Sequence, residues 1–189
     1  MKLNEIAVVR TGLVLSRKEA KDTSEKYEYH QLNLKAVSEN GIIKTNELIP
    51  YYASEELSEN YLTQAGDIIV KTSEPYTAVL ITDEYVGIVV PSHFVIVRVD
   101  DTKAIPKYVE WYLNKERIKK SFNMSCVGLL KQIKPTTIAE TEIKLPDLEK
   151  QRQVASIYEL SKQELKLIEQ LKEQKQVYYK SLINKINRM

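Results

Sequence analysis

The sequence predicts an α/β (α+β) chain in two parts: a mixed-sheet domain over residues 1–145 and one long helix over residues 146–189. Three observations carry this reading. Short segments rich in β-branched residues recur up to Pro146, separated by turn-forming residues. One stretch within that region, Pro106–Phe122, has helical rather than strand periodicity. After Pro146 roughly forty residues follow with neither glycine nor proline.

Taken in order, the expected strands are "EIAVVR", "YEYHQLNL", "DIIVKT", "TAVLIT", "VGIVV" and "HFVIVRV". Turns are expected at "ENGIIK", "QAGDII", "SEPY" and "VPSH". In "PKYVEWYLNKERIKKSF" Pro106 suits the first helical turn. Tyr108, Trp111, Tyr112, Ile118 and Phe122 share an arc of about 120°, which Val109 and Leu113 widen. Lys115 and Lys119 interrupt that face. The stretch "CVGLLKQIKPTTIAETEIKLP" reads as a loop, a short turn and a strand leading to Pro146.

The long helix begins with start chemistry: Asp147 can accept from free N–H groups of the first turn, and Glu149 complements the dipole. Ile157, Leu160, Leu165, Ile168, Leu171, Tyr178 and Leu182 fall within about half the circumference. Ser161, Glu164, Lys172 and Lys175 interrupt this face, and Val177 lies off it. The spacings Ile157–Ile168–Tyr179 and Leu160–Leu171–Leu182 are eleven residues, which favours a nearly straight or slightly right-handed pairing. At ~1.5 Å per residue the helix would be about 60 Å long. A domain of this size is roughly 40 Å across. Its own core can cover the first turns, and the remainder asks for a partner helix.

Composition excludes several classes. The single cysteine, Cys126, rules out an internal disulfide framework or a cysteine-clustered zinc site. His30 and His93 are far apart in sequence, so no metal site is expected, and nothing in the chain offers a site for another cofactor. The start, "MKLNEIAVVRTG", lacks the apolar core of a signal peptide, and no apolar run approaches a membrane span. A mature cytoplasmic chain is therefore expected. Net charge is +2, but residues 103–134 hold eight basic and two acidic side chains, a local +6. An anionic polymer would meet such a cluster, and a solvated helix face would give the same count.

The blocks "LNEIAVVRTGLVLSRK", "YHQLNLKAVSENGIIK", "YLTQAGDIIV", "PKYVEWYLN" and "EIKLPDLEKQRQVASIYEL" resemble the specificity subunit of Type I restriction–modification systems over nearly the whole chain. The last block is similar to that family's Leu-Pro-x-Leu-x-x-Gln entry into a long helix, here Leu145, Pro146, Leu148 and Gln151. The resemblance implies a DNA target-recognition domain followed by a spacer helix. A full-length subunit carries two of each, and this chain shows one of each, so it is similar to a half-length form. The missing helix would then come from a second copy, giving an antiparallel homodimer with a recognition domain at each end of a palindromic, interrupted target. The resemblance also implies partners: DNA adenine methyltransferase (modification) subunits and a restriction/translocase subunit. S-adenosylmethionine would belong to the former.

Recognition needs groups that hold phosphates and groups that read base edges. Lys119, Lys120, Lys131 and Lys134 flank a loop in the basic stretch and are the leading phosphate candidates, with Arg17 and Lys18 secondary. Lys71, Thr72, Ser73 and Tyr76 of "KTSEPYTA" are the candidates for base readout, although Ser73, Glu74 and Pro75 would equally serve to turn the chain. Gly128 could admit close backbone approach or simply a turn. On the helix, Lys162, Lys166, Glu169, Glu173 and Lys180 point outward and could tune partner docking. Catalytic signals are poor: there is no Gly-rich phosphate loop and no Asn-Pro-Pro-Tyr-like run. Glu142-x-Lys144 and Pro146-Asp147 echo nuclease motifs, but a helix cap explains the second better. The alternative is a helical-stalk scaffold or dimerisation protein that does not bind DNA.

Overall fold

The computed structural model describes residues 1–21, 26–126 and 131–187. Its centre is a four-stranded antiparallel sheet ordered β1-β6-β4-β5, from β1 (Ala7–Thr11), β4 (Asp67–Lys71), β5 (Ala78–Leu80) and β6 (Phe94–Val99). The register sets Val9 opposite Val97, Ile69 opposite Ile96 and Ile69 opposite Val79. Strand β2 (Tyr27–Gln31) pairs with β3 (Ile49–Ala53) in a separate two-stranded sheet, Tyr29 opposite Tyr51.

Alternation sends successive side chains of a strand to opposite faces. Ile68, Val70, Val95 and Val97 pack on one face beneath Tyr108, Val109, Leu113, Phe122 and Ile138. Ile69, Phe94 and Ile96 face the other way, onto Leu32, Val37, Ile43, Val79 and Ile81. Both faces are covered, which is why the centre of β4, Ile68–Val70, is apolar on consecutive positions and all five of its residues are buried.

Five of the six expected strands form. "VGIVV" does not: Val89 makes only isolated bridges, to Gln31 and Leu62. Strand β3 is not among the expected strands, and Pro50 interrupts its pattern. A two-stranded sheet has only edges, where a residue without an N–H is tolerated.

The expected single helix over Pro106–Phe122 is two, α1 (Pro106–Leu113) and α2 (Glu116–Ser125). The break falls at Asn114, whose carboxamide grips the sheet edge: Oδ1 accepts from Ala78 N–H at 3.1 Å and Nδ2 donates to Ala78 O at 2.8 Å. The turn expected before Pro146 is a short helix, α3 (Pro135–Ala139). The strand expected after it reduces to one bridge, Lys2–Glu142, where the N-terminus lies alongside.

Helix α4 (Leu148–Ile186) has 39 residues, hence a length of about 58 Å. Asp147 caps it as expected, accepting from Lys150 N–H at 2.9 Å. Gln151 and Ala155 are buried against the domain, and Val154 and Tyr158 partly so. From Gln163 to Asn187 every residue is exposed. Among the described residues no helix is long and apolar enough to cross a membrane.

Candidate nucleic-acid interface

Three elements meet at the end of β4: the loop that follows it, helix α2, and the segment from Lys131 to Lys134. Tyr76 is the peg between them. Its ring lies buried edge-on to Phe122, 6.0 Å between centroids. Its hydroxyl donates to Lys131 O and lies near Cys126 Sγ, both at 3.3 Å. Burial, followed by the neighbouring Cys126, pushes that hydroxyl's pKa up to about 12. Ile133 N–H donates to Thr72 O at 2.8 Å, which fastens the lysine-bearing segment to the strand end.

This geometry revises the expected base readers. Lys71 is buried and its Nζ donates to Val37 O at 2.5 Å; burial lowers its pKa, with Glu39 opposing. Thr72 is buried with its hydroxyl donated to His93 O at 2.9 Å. Tyr76 is fully enclosed. Polar side chains at a strand end read as exposed in sequence, but here neighbouring loops close over them and their bonds are internal. Ser73 is half-buried and accepts Tyr76 N–H in the turn. The chain-turning role of this loop is what the structure shows.

The lysines fare differently. Lys119 and Lys120 line a cleft of about 570 Å³ beside Tyr76, together with Asn40, Asn123 and three carboxylates, Glu39, Glu74 and Glu116. Lys119 is half-buried, and burial lowers its pKa while Glu116 and Glu39 pull it back. Lys120, Lys131 and Lys134 are exposed and form no ion pair among the described residues. Gly128 lies outside the described residues. Arg17 is exposed near β3, where Lys18 pairs with Glu55; no hydrogen bond or ion pair joins these two to the Lys119 group among the described residues. The sequence reading missed Asn40 and Asn123. Asn123 could have been found, four residues beyond Lys119 on α2.

The second constellation joins the domain to α4. Gln151 Oε1 accepts Ile105 N–H at 3.0 Å and its Nε2 donates to Pro146 O at 2.9 Å. Asn114 Nδ2 donates to the Tyr158 hydroxyl at 3.1 Å. Lys162, expected to point outward, instead reaches Glu110 Oε1 at 2.7 Å. Glu110 is wholly buried, and its other carboxylate oxygen lacks a partner among the described residues. Burial raises the Glu110 pKa and Lys162 pulls it down.

Among the described residues no catalytic arrangement is formed around His93. His93 is packed 4.7 Å from Phe94, with its Nε2 buried and its pKa lowered by burial. No group of three or more His, Cys, Asp or Glu among the described residues could hold a metal.

Residues 1–176 match the family model described as the Type I restriction modification DNA specificity domain. The chain belongs to that family. Its fold is similar to the HsdS subunit from Thermoanaerobacter tengcongensis, with a TM-score of 0.67 at 16% identity, over 90% of this chain and 43% of that one. A structure titled for complex assembly and conformational transition of the type I R-M system gives 0.68 at 16% identity, with the same two coverages. No curated protein matches the chain.

At that identity the likeness establishes the fold, which is the expected α/β domain with a long C-terminal helix. This specificity domain spans less than half the length of either neighbour. The family's helix-entry motif acquires a physical reason: Gln151 satisfies one backbone group on each side of the junction, so it ties α4 to the domain.

Proposed function

We propose that this chain recognises a DNA sequence as a non-catalytic specificity component, and that two copies pair through α4 as antiparallel rods carrying a recognition domain at each end. The pair reads a bipartite, palindromic target and directs DNA adenine methyltransferase subunits to it, and with them a restriction/translocase subunit. The observation that carries the pairing is the bare apolar stripe: Ile157, Leu160, Ile168, Leu171, Tyr178 and Tyr179 are each more than half exposed. Taking a large apolar side chain from fully exposed to fully buried gains about 1.5–3 kcal/mol, so covering the exposed half or more of each favours a second helix.

On this reading Lys119, Lys120, Lys131 and Lys134 hold phosphates, and Asn40 and Asn123 are the cleft groups suited to reading an adenine edge. Ser73 stays a candidate, and Arg17 would contact the backbone further along. The three carboxylates in the cleft favour the second reading, a scaffold without DNA binding. Duplex binding by the chain with its methyltransferase partner separates the two. Affinity should fall steeply with salt if phosphates are held, whereas a flat response supports the scaffold. Replacing Ile168 and Leu171 by Asp should halve the mass seen by light scattering; an unchanged mass removes the paired rods.

A further inference from the structure

Two charged residues stand in the middle of the exposed apolar stripe. Ile157, Leu160, Ile168, Leu171, Tyr179 and Leu182 lie within about 100° of the α4 circumference at 3.6 residues per turn. Glu164 and Lys175 fall inside that same arc, not at its margins. They are eleven residues apart, about 16 Å along the axis, so they cannot reach one another within one helix. Both are exposed, and neither forms an ion pair among the described residues.

The stripe also has two shallow depressions. Leu160, Gln163, Glu164, Leu167, Ile168 and Leu171 line the first. Ile168, Leu171, Lys172, Lys175, Gln176 and Tyr179 line the second. Reversing the helix about a point between Glu169 and Gln170 turns one set of positions into the other. A second copy related by a two-fold axis at that point would seat each depression against its counterpart. Leu160 then meets the partner's Tyr179, Ile168 the partner's Leu171, and Ile157 the partner's Leu182. The same operation brings Glu164 to the partner's Lys175.

We infer that Glu164 and Lys175 fix the register of the antiparallel pair, and through it the distance between the two recognition domains. This rests on the paired-rod reading above. The alternatives show why the charges decide. Sliding one rod by eleven residues keeps the apolar stripes in contact. In one direction, however, it sets Glu164 against the partner's Glu164, and in the other Lys175 against the partner's Lys175. A slide of one turn puts Glu164 on the partner's Leu171 or Tyr179 and leaves Lys175 on the partner's Leu160 or Ile168. Only the central register pairs both charges, twice over by symmetry. The apolar residues supply affinity, and the charges penalise the wrong alignments. An eleven-residue slip would move the domains about 16 Å relative to one another, roughly half a turn of B-DNA. A slipped dimer would therefore present its second reading surface to the wrong side of the duplex.

Cross-linking reads the register directly. Three double-cysteine variants in a Cys126→Ser background each report one alignment under mild oxidation. Leu160→Cys/Tyr179→Cys reports the inferred register. Leu160→Cys/Ile168→Cys and Leu171→Cys/Tyr179→Cys report the two eleven-residue slips. A covalent dimer in the first variant alone is expected. A covalent dimer in either of the others, or in none while light scattering shows a dimer, overturns the register and leaves the pair standing. A monomeric native chain overturns the pair itself. Independently, Glu164→Lys should weaken dimerisation about tenfold, since two pairs turn repulsive. Glu164→Lys/Lys175→Glu should restore it, and a failure to restore refutes the pairing of these two charges.

Discussion

The Glu110–Lys162 contact offers a quantitative test of how α4 is attached. Glu110 sits on α1 with no exposed surface, and Lys162 reaches it from α4 at 2.7 Å. Replacing Lys162 by Met keeps the aliphatic stem beside Tyr158 and removes the ammonium. A buried carboxylate left without its cation costs about 3–5 kcal/mol. Protonation caps that cost. Burial already raises the Glu110 pKa, and Lys162 is the foremost influence holding it down, so the variant's folded-state pKa moves further up. In the window between the ordinary carboxylate range and this raised value, the folded state keeps a proton that the unfolded state has lost. Stability then falls as pH rises, by about 1.4 kcal/mol per pH unit within the window. The deficit against the native chain should be small near pH 4.5 and grow to ~3 kcal/mol near pH 7.5. Urea unfolding followed by Trp111, the sole tryptophan, measures it at one fixed protein concentration. Glu110→Gln/Lys162→Met should abolish the extra pH dependence. A deficit that is constant with pH, or largest in acid, would show that Glu110 is not the group left exposed to the change.

Gln151→Ala should leave Ile105 N–H and Pro146 O without their partner at the base of α4. The expected loss is ~1–3 kcal/mol, with faster hydrogen exchange at Ile105. Lys119→Gln/Lys120→Gln should weaken binding to all duplexes alike and reduce the salt slope by about 2, without altering sequence preference. A changed preference instead would place these lysines at base edges.

Much of the fold was legible because its signals are local. β-Branched runs gave the strands, and Asp147 followed by an unbroken stretch gave the helix. What was illegible depends on distant neighbours. Asn114 looks like an ordinary helical residue until its carboxamide is seen holding both backbone groups of Ala78. Lys71 looks like a surface cation until Val37 O closes over it. The basic stretch likewise counts as +6 along the chain, yet in space Glu39 and Glu74, from outside that stretch, join Glu116 beside Lys119 and Lys120. Sequence charge predicts a patch only where the fold brings no opposite charge to it. Lys120, Lys131 and Lys134, exposed and unpaired among the described residues, survive that correction better than the strand-end group.

On the proposed pairing of two copies the junction and the stripe matter together, because a reader of two half-sites would have to hold its heads at a set separation and a set angle. In that proposed pair the register of α4 would govern the separation, and the angle would depend on how rigidly each domain grips its own helix. A rotation of about 10° at the junction would displace the far end of a ~58 Å rod by some 10 Å, a little under a third of a B-DNA turn. Apolar contact at Ala155 and Val154 is non-directional and resists such rotation weakly. Gln151, Tyr158 and Lys162 are different: each makes directional bonds to the domain, to Ile105, Asn114 and Glu110 respectively, over three turns of α4. Three directional attachments spread along an axis define an orientation, which one cannot. A buried ion pair is a poor means of adding stability, since its desolvation offsets most of its attraction. Its placement where angle matters most accounts for it better.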